Sequence, residues 1–199
     1  VRGLELKLDY SFNNLFIQTN YTYQFTRGNA DNPAQTFNRQ GSSIDKVIRF
    51  IPMSWDQRHT FNVSLGYNTE KFGTTITGYY NSGTPYTFSP QGESNLALLN
   101  LYPNNDVKPS NYHADLSGYI NLPKVLGINS KINFLIYNLT DRYNEYGVSS
   151  ETGRAYTAVV NETELLSHRS NFNSYDDRYK NPSMFSSPRE IKIGWTVSF

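Results

Sequence analysis

Strict alternation of apolar and polar side chains recurs along almost the whole chain, while helical periodicity is nearly absent. A period of two sends successive side chains to opposite faces of an extended strand, so seven segments read as strands with one apolar and one polar face. In residues 3–10, Leu4, Leu6, Leu8 and Tyr10 oppose Gly3, Glu5, Lys7 and Asp9. In 15–26, Leu15, Ile17, Tyr21, Tyr23 and Phe25 oppose Gln18, Asn20, Thr22 and Gln24. In 59–67, Phe61, Val63, Leu65 and Tyr67 stand against Thr60, Asn62, Ser64 and Gly66. Residues 72–81 match more weakly, with Phe72, Ile76 and Tyr80 on one face. In 112–122, Tyr112, Ala114, Leu116, Ile120 and Leu122 separate from His113, Asp115, Ser117 and Tyr119. Residues 130–139 are apolar on both sides near their end, which leaves their faces open. In 189–199, Ile191, Ile193, Trp195, Val197 and Phe199 oppose Glu190, Lys192, Gly194, Thr196 and Ser198.

Such a sheet has two homes: a soluble protein with one face on a core, or a membrane crossed by strands. Three features favour the membrane. The strands run roughly 8–12 residues, against a mode of about 5–6 in globular proteins and the ~9–11 that cross a bilayer at a tilt. Their polar faces are rich in Gly, Ser, Thr and Asn, as a wet lumen requires. The aromatic residues, 15% of the chain, gather near the ends of the apolar faces, the headgroup level where amphipathic rings are favoured. The connections add a fourth argument. Short ones (11–14, 68–71, 123–129) alternate with long ones (27–58, 82–111, 140–188), which puts every short turn at one end. Outer-membrane barrels sort their loops this way, with short periplasmic turns and long external loops.

The expected fold class is therefore all-β: an antiparallel transmembrane β-barrel fragment in the bacterial outer membrane. Seven is an odd number, whereas complete bacterial barrels close with an even one, and open sheet edges are not tolerated in lipid. The chain is thus expected to be part of a longer barrel, or to be completed by strands of another polypeptide. Residues 154–160 (RAYTAVV) carry further strand character and are expected to form an external hairpin arm. Composition excludes other classes. With 18 Lys+Arg against 17 Asp+Glu, no phosphate-neutralising surface for nucleic acid is indicated. The absence of cysteine removes disulfides, thiolate metal sites and a Cys nucleophile. Mean hydropathy is −0.60, and no run approaches the ~18 apolar residues of a membrane helix.

Several motifs, in order, resemble the C-terminal part of the barrel of a TonB-dependent outer-membrane receptor of the Bacteroidetes type. They are Gly3-Leu4-Glu5 with Asn20-Tyr21-Thr22-Tyr23; Pro52 to Asn62 (PMSWDQRHTFN); Ser82-Gly83-Thr84-Pro85-Tyr86-Thr87; and Tyr137-Asn138-Leu139-Thr140-Asp141, where Thr140 replaces the family's usual Phe. Thr152-Gly153-Arg154, Asn181-Pro182-Ser183 and Pro188-Arg189-Glu190-Ile191 follow, with the aromatic Phe199 that barrel-assembly machinery reads in such proteins. The resemblance spans essentially residues 1–199. It implies about seven strands of a plugged barrel of about 22. It also implies active uptake of a scarce solute (siderophore, vitamin, glycan or peptide), energised by the TonB complex through an N-terminal part that this chain does not contain. The implied surroundings are outer-membrane lipid and a surface lipoprotein as partner. A passive porin or a secretion or assembly channel is the alternative, and a soluble glycan-binding β-module a third class.

Catalysis finds no constellation. His59, His113 and His168 lie far apart without metal-ligand spacing, and neither a cofactor nor an enzyme activity is expected. Asp141, Glu145 and Asp176-Asp177 lack the fixed spacing of a calcium loop. His113, Asp115 and Tyr119 share one strand face and are expected to point into the lumen. The long connections are the binding candidates, with Trp55, Tyr86, Phe88, Tyr102 and Tyr175 as substrate contacts; for Trp55-Asp56-Gln57-Arg58, local bracing competes with that role. The segment 95–102 (NLALLNLY) is unusually apolar for a solvated loop and is expected to pack on a plug or a capping partner.

Overall fold

The computed structural model describes residues 1–31, 50–88, 103–125, 127–156 and 182–198. The strands are β1 (Arg2–Phe12), β2 (Leu15–Phe25), β3 (Arg27–Gly28), β4 (Ile51–Pro52), β5 (His59–Asn68), β6 (Phe72–Asn81), β7 (Pro85–Tyr86), β8 (Asp106–Val107), β9 (Asn111–Asn121), β10 (Asn129–Tyr137) and β11 (Glu190–Ser198). Seven of them form one antiparallel sheet in the order β1-β2-β5-β6-β9-β10-β11, a meander in which each long strand pairs with the next. The short pairs β3–β4 and β7–β8 lie within the long connections.

All seven expected strands are present, and the differences fall at their ends. The first turn has two residues, not four, because Asn13 takes the left-handed conformation (φ 50°) that asparagine tolerates. The last short turn closes on a Val125–Ile128 bridge with Gly127 at φ 85°. β10 stops at Tyr137 because Asn138 turns left-handed (φ 51°). The expected arm at 154–160 is not a strand over Arg154 to Tyr156. Arg154 to Tyr156 form bends, since Arg154 and the Ala155 N–H are drawn onto the Glu145 carboxylate. Residues 157–160 lie outside the described residues.

Register carries the alternation across the sheet. The row Tyr10–Ile17–Leu65–Ile76–Leu116–Ile136–Ile191 crosses all seven strands and is apolar in each. Phe12–Leu15–Tyr67–Thr74–Gly118–Phe134–Ile193 is the next row on that face. Toward the long connections, Tyr21, Phe61, Tyr80 and Tyr112 stand side by side on four adjacent strands. Toward the short turns, Tyr67, Phe72 and Trp195 mark the other limit. The eight-residue step from Phe72 to Tyr80 spans about 26 Å along the strand. Within β10, the open question is resolved by pairing: Ile132, Phe134 and Ile136 join the apolar face, and Leu135 turns to the polar one.

The two faces differ in chemistry. On the apolar face, Thr19 and Thr74 return their hydroxyls to backbone carbonyls, of Asn62 (2.9 Å) and Ser117 (3.3 Å). On the polar face, side chains bridge strands: Asn62 Nδ2 donates to Asn20 Oδ1 (2.9 Å) and Asn133 Nδ2 to Thr196 Oγ1 (3.2 Å). Here Phe16 lies over Gly66 and Tyr119 over Gly73, where any Cβ would overlap the ring. Nothing described covers the apolar face. Among the described residues the buried apolar side chains are Ile51, Met53 and Ala155, all in the connections, while Ile193 is 77% and Trp195 72% exposed. Both edge strands, β1 and β11, are exposed along their whole length and, among the described residues, pair on one side only.

Candidate functional site

The chemistry of this chain concentrates at the long-connection end of the sheet, where buried polar nodes tie the loops together. Asp56, 1% exposed, accepts the Thr26 N–H on Oδ1 (2.7 Å) and Arg58 Nε on Oδ2 (2.9 Å). The Arg58 guanidinium then stacks 4.1 Å from the Phe25 ring centroid. Gln57 Nε2 donates to the Ser82 carbonyl, and the His59 N–H to Ser82 Oγ. The Trp55-Asp56-Gln57-Arg58 segment therefore braces two connections, and Trp55 alone of the four is left exposed.

Asn104 (φ 59°) links the same two connections: its Nδ2 donates to both Asp31 oxygens (3.2 and 3.0 Å) and to the Pro52 carbonyl (3.0 Å). In the second connection the Tyr86 hydroxyl donates to Asp106 Oδ2 (3.0 Å). Burial, then that hydrogen bond and the carboxylate charge, push the Tyr86 phenol up to about 12. Tyr86 also fills the space beside Gly153 (φ 68°), so the second and third connections meet there. Phe88 packs edge-on to Tyr86 at 6.4 Å, its backbone held at both ends by Asn105.

The third connection is built on two asparagines. Asn138 donates its N–H to Asp115 Oδ1 (2.8 Å) and its Nδ2 to the carbonyls of Arg142 and Ser187. Asn144, 1% exposed, clamps Tyr112, taking its N–H on Oδ1 (3.1 Å) and donating Nδ2 to its carbonyl (3.0 Å). Its Oδ1 also accepts Arg142 Nε at 3.1 Å. Asp141 accepts the Arg189 N–H (2.9 Å), which joins the Asn-Leu-Thr-Asp and Pro-Arg-Glu-Ile motifs in space. A cavity of about 670 Å³ opens among Tyr143, Glu145, Arg154, Tyr156 and Phe185. A second, of about 430 Å³, lies on the polar face between His113, Asp115, Tyr137, Asn138 and Lys192.

Of the expected site residues, His113, Asp115 and Tyr119 do share the polar face. His113 Nε2 is 3.7 Å from Asp115 Oδ2 and packs on Tyr79, while Tyr119 reaches the Thr69 carbonyl at the opposite end (2.9 Å). Trp55, Tyr86 and Phe88 lie at the long-connection end but line neither cavity. Tyr102, Tyr175, Phe199, His168, Asp176-Asp177 and the segment 95–102 lie outside the described residues. Asp141 and Glu145 do not converge on a common ion: each is paired with an arginine, Arg189 and Arg154. Among the described residues no group of three or more metal-ligating side chains occurs. Sequence reasoning missed Asn104 and Asn144; a signal for the first is an asparagine before a strand, where it adopts a left-handed turn and still spends its amide on neighbouring loops.

Glu145 gives this end a pH dependence. Hydrogen bonds from Arg154 first, then the Ala155 N–H and the nearby guanidinium charges, outweigh burial and hold its carboxyl below the ordinary value of 4.5. A depressed carboxyl stabilises the folded loop above its unfolded pKa, and that contribution is lost as pH falls through the folded value. Protection of the Ala155 amide, measured against its intrinsic exchange rate at each pH, is therefore expected to fall on acidification below about 4.5. In Glu145→Gln that pH dependence of the protection disappears.

Comparison with known proteins adds no relative: a scan against family models found no match, and searches of curated proteins and of solved structures found none either.

Proposed function

We propose that this chain is a wall segment of an outer-membrane β-barrel that imports a scarce solute with energy delivered through TonB. The observation that carries the membrane half of this reading is the uncovered apolar face. Side chains from seven strands, continuous across the register, present no acidic residue, and among the described residues no packed core explains them. A soluble sheet buries such a face against another layer; a membrane sheet leaves it to lipid. The aromatic limits, about 26 Å apart along the strand, project to about 20 Å along the normal at a tilt of about 35–45°, which falls within an apolar band of ~25 Å. The two one-sided edges ask for further strands, since each unpaired backbone group in hydrocarbon costs several kcal/mol.

The importer half rests on the ordered motifs and on what they do. Pro52 to Asn62 anchors the first long connection, and Asn138 to Asp141 meets Pro188 to Ile191 to anchor the third, at the same end of the sheet. In this reading the polar face lines a plugged lumen, and the anchored connections hold Trp55, Tyr86 and Phe88 toward the outside, where aromatic rings and amides suit glycans or siderophore rings. A passive pore or secretion channel shares the wall but not the plug. The deciding measurement is the intact mass, after detergent extraction and denaturation, of the species that contains this sequence. A mass several times 22.8 kDa, with a plug sequence ahead of the strands, supports the importer. A large barrel without a plug sequence overturns it in favour of a pore, and extraction without detergent overturns the membrane reading itself.

A further inference from the structure

The charges of the sheet are sorted by face. Glu5, Lys7, Asp9, Asp115, Lys131, Glu190 and Lys192 all fall on the polar side. On the apolar side of the seven strands a single Lys, Arg, Asp or Glu occurs, Arg2, and it stands at the long-connection end, paired in register with Phe25. Two more arginines reach that same rim from the connections, and they are held in the same way. Arg58 fixes its Nε on buried Asp56 and lays its guanidinium over Phe25; Arg142 fixes its Nε on buried Asn144 and lays its guanidinium over Tyr112, both 4.1 Å from the ring centroid. Both rings belong to the apolar face. Arg142 also donates Nη1 to the Tyr112 hydroxyl (2.8 Å), while its Nη2 and both Nη groups of Arg58 have no acceptor among the described residues.

We propose that Arg2, Arg58 and Arg142 form a rim that binds the phosphate of acidic lipid headgroups. A guanidinium fork whose Nε is already oriented loses little freedom on accepting a phosphate, and its planar donors match phosphate oxygens. Stacking on the outermost aromatic ring sets the fork at the headgroup level, directly above the acyl chains that the apolar face faces. Asp56 balances the charge of Arg58, so the net attraction comes from Arg2 and Arg142, and Arg58 contributes donors. Asp141, next to Arg142 in sequence, pairs with Arg189, and Glu145 is engaged by Arg154. A lipid rather than a soluble anion is the occupant because the rim borders a lipid-sized apolar face. This inference rests on the membrane reading above.

The test is native mass spectrometry of the intact detergent-extracted protein in micelles doped with phosphatidylglycerol or phosphatidylcholine. The wild type is expected to retain phosphatidylglycerol preferentially. Arg2→Gln with Arg142→Gln is expected to lower that preference roughly tenfold. Lys131→Gln with Lys192→Gln, the same charge loss on the other face, leaves it unchanged. Arg142→Lys, which keeps the charge and loses the stacked fork, falls between, and serves if the double variant does not fold. An equal fall in both double variants, or no fall in either, overturns the rim. Retention of neither lipid by the wild type overturns the membrane reading and the rim with it.

Discussion

Arginine in place of Leu65 or Ile193 is expected to cost about 2–4 kcal/mol of folding free energy in a bilayer. Leu65 sits in the row that is apolar on all seven strands, and Ile193 one row away, so under the proposed membrane reading each substitution drives a guanidinium toward the bilayer midplane. Arginine at Asn62 or Thr196 is expected to cost far less. Those side chains lie on the polar face, where each loses one amide or hydroxyl hydrogen bond and the new charge meets water. Val197→Arg, on the apolar face but near the short-turn end, is expected to cost only about 0–1 kcal/mol, because snorkelling reaches the interface there. Denaturant titrations of the protein refolded in lipid vesicles read all five. A protein-covered face would also resent arginine at Leu65, but its cost would not follow depth. Equal costs on the two faces would falsify the assignment.

Asn144→Ala is expected to destabilise the third connection by about 3 kcal/mol. The substitution removes both partners of the Tyr112 backbone, whose N–H and carbonyl each lose a well-made bond, and releases Arg142 Nε. An unsatisfied buried polar group costs roughly 1–3 kcal/mol, and two of them are created at once. The loss is local, because Tyr112 is the second residue of β9, one pair in from the Asn111–Asn81 end of its ladder with β6. Amide exchange at Tyr112 and at Ser186, whose N–H donates to the Asn144 carbonyl, is expected to quicken more than a hundredfold. Exchange in the middle of β6, at Ile76 for example, stays slow. Uniform acceleration along the sheet would show instead that the node supports the whole fold.

The arginine rim shows how a strand face and its loops depend on one another. Arg58 and Arg142 stack on rings supplied by the sheet, yet their aim is set by Asp56 and Asn144 in the connections. Weakening either node therefore alters what the apolar face presents at its edge as well as the loop above it.

The chain's strands are legible from residues alone because alternation is a local property: a side chain two positions on returns to the same face whatever the neighbours do. That is enough to separate Leu65 from Asn62 and Ile193 from Thr196, and to place His113, Asp115 and Tyr119 together. It fails where two faces are both apolar, as around Leu135, since only the pairing of β10 with β9 and β11 assigns a side. It fails again at 154–156, where strand-forming side chains yield to a carboxylate nine residues upstream. The loop nodes were illegible for the same reason. Asn144 holds Tyr112, and Asn104 holds Asp31, across separations of 32 and 73 residues, and no local pattern encodes such a bond. The sequence by itself determined which side chains share a face; the tertiary structure decided which faces align into one uncovered apolar surface and which buried amides lock its rim, because register and hydrogen-bond partners are set by residues distant along the chain.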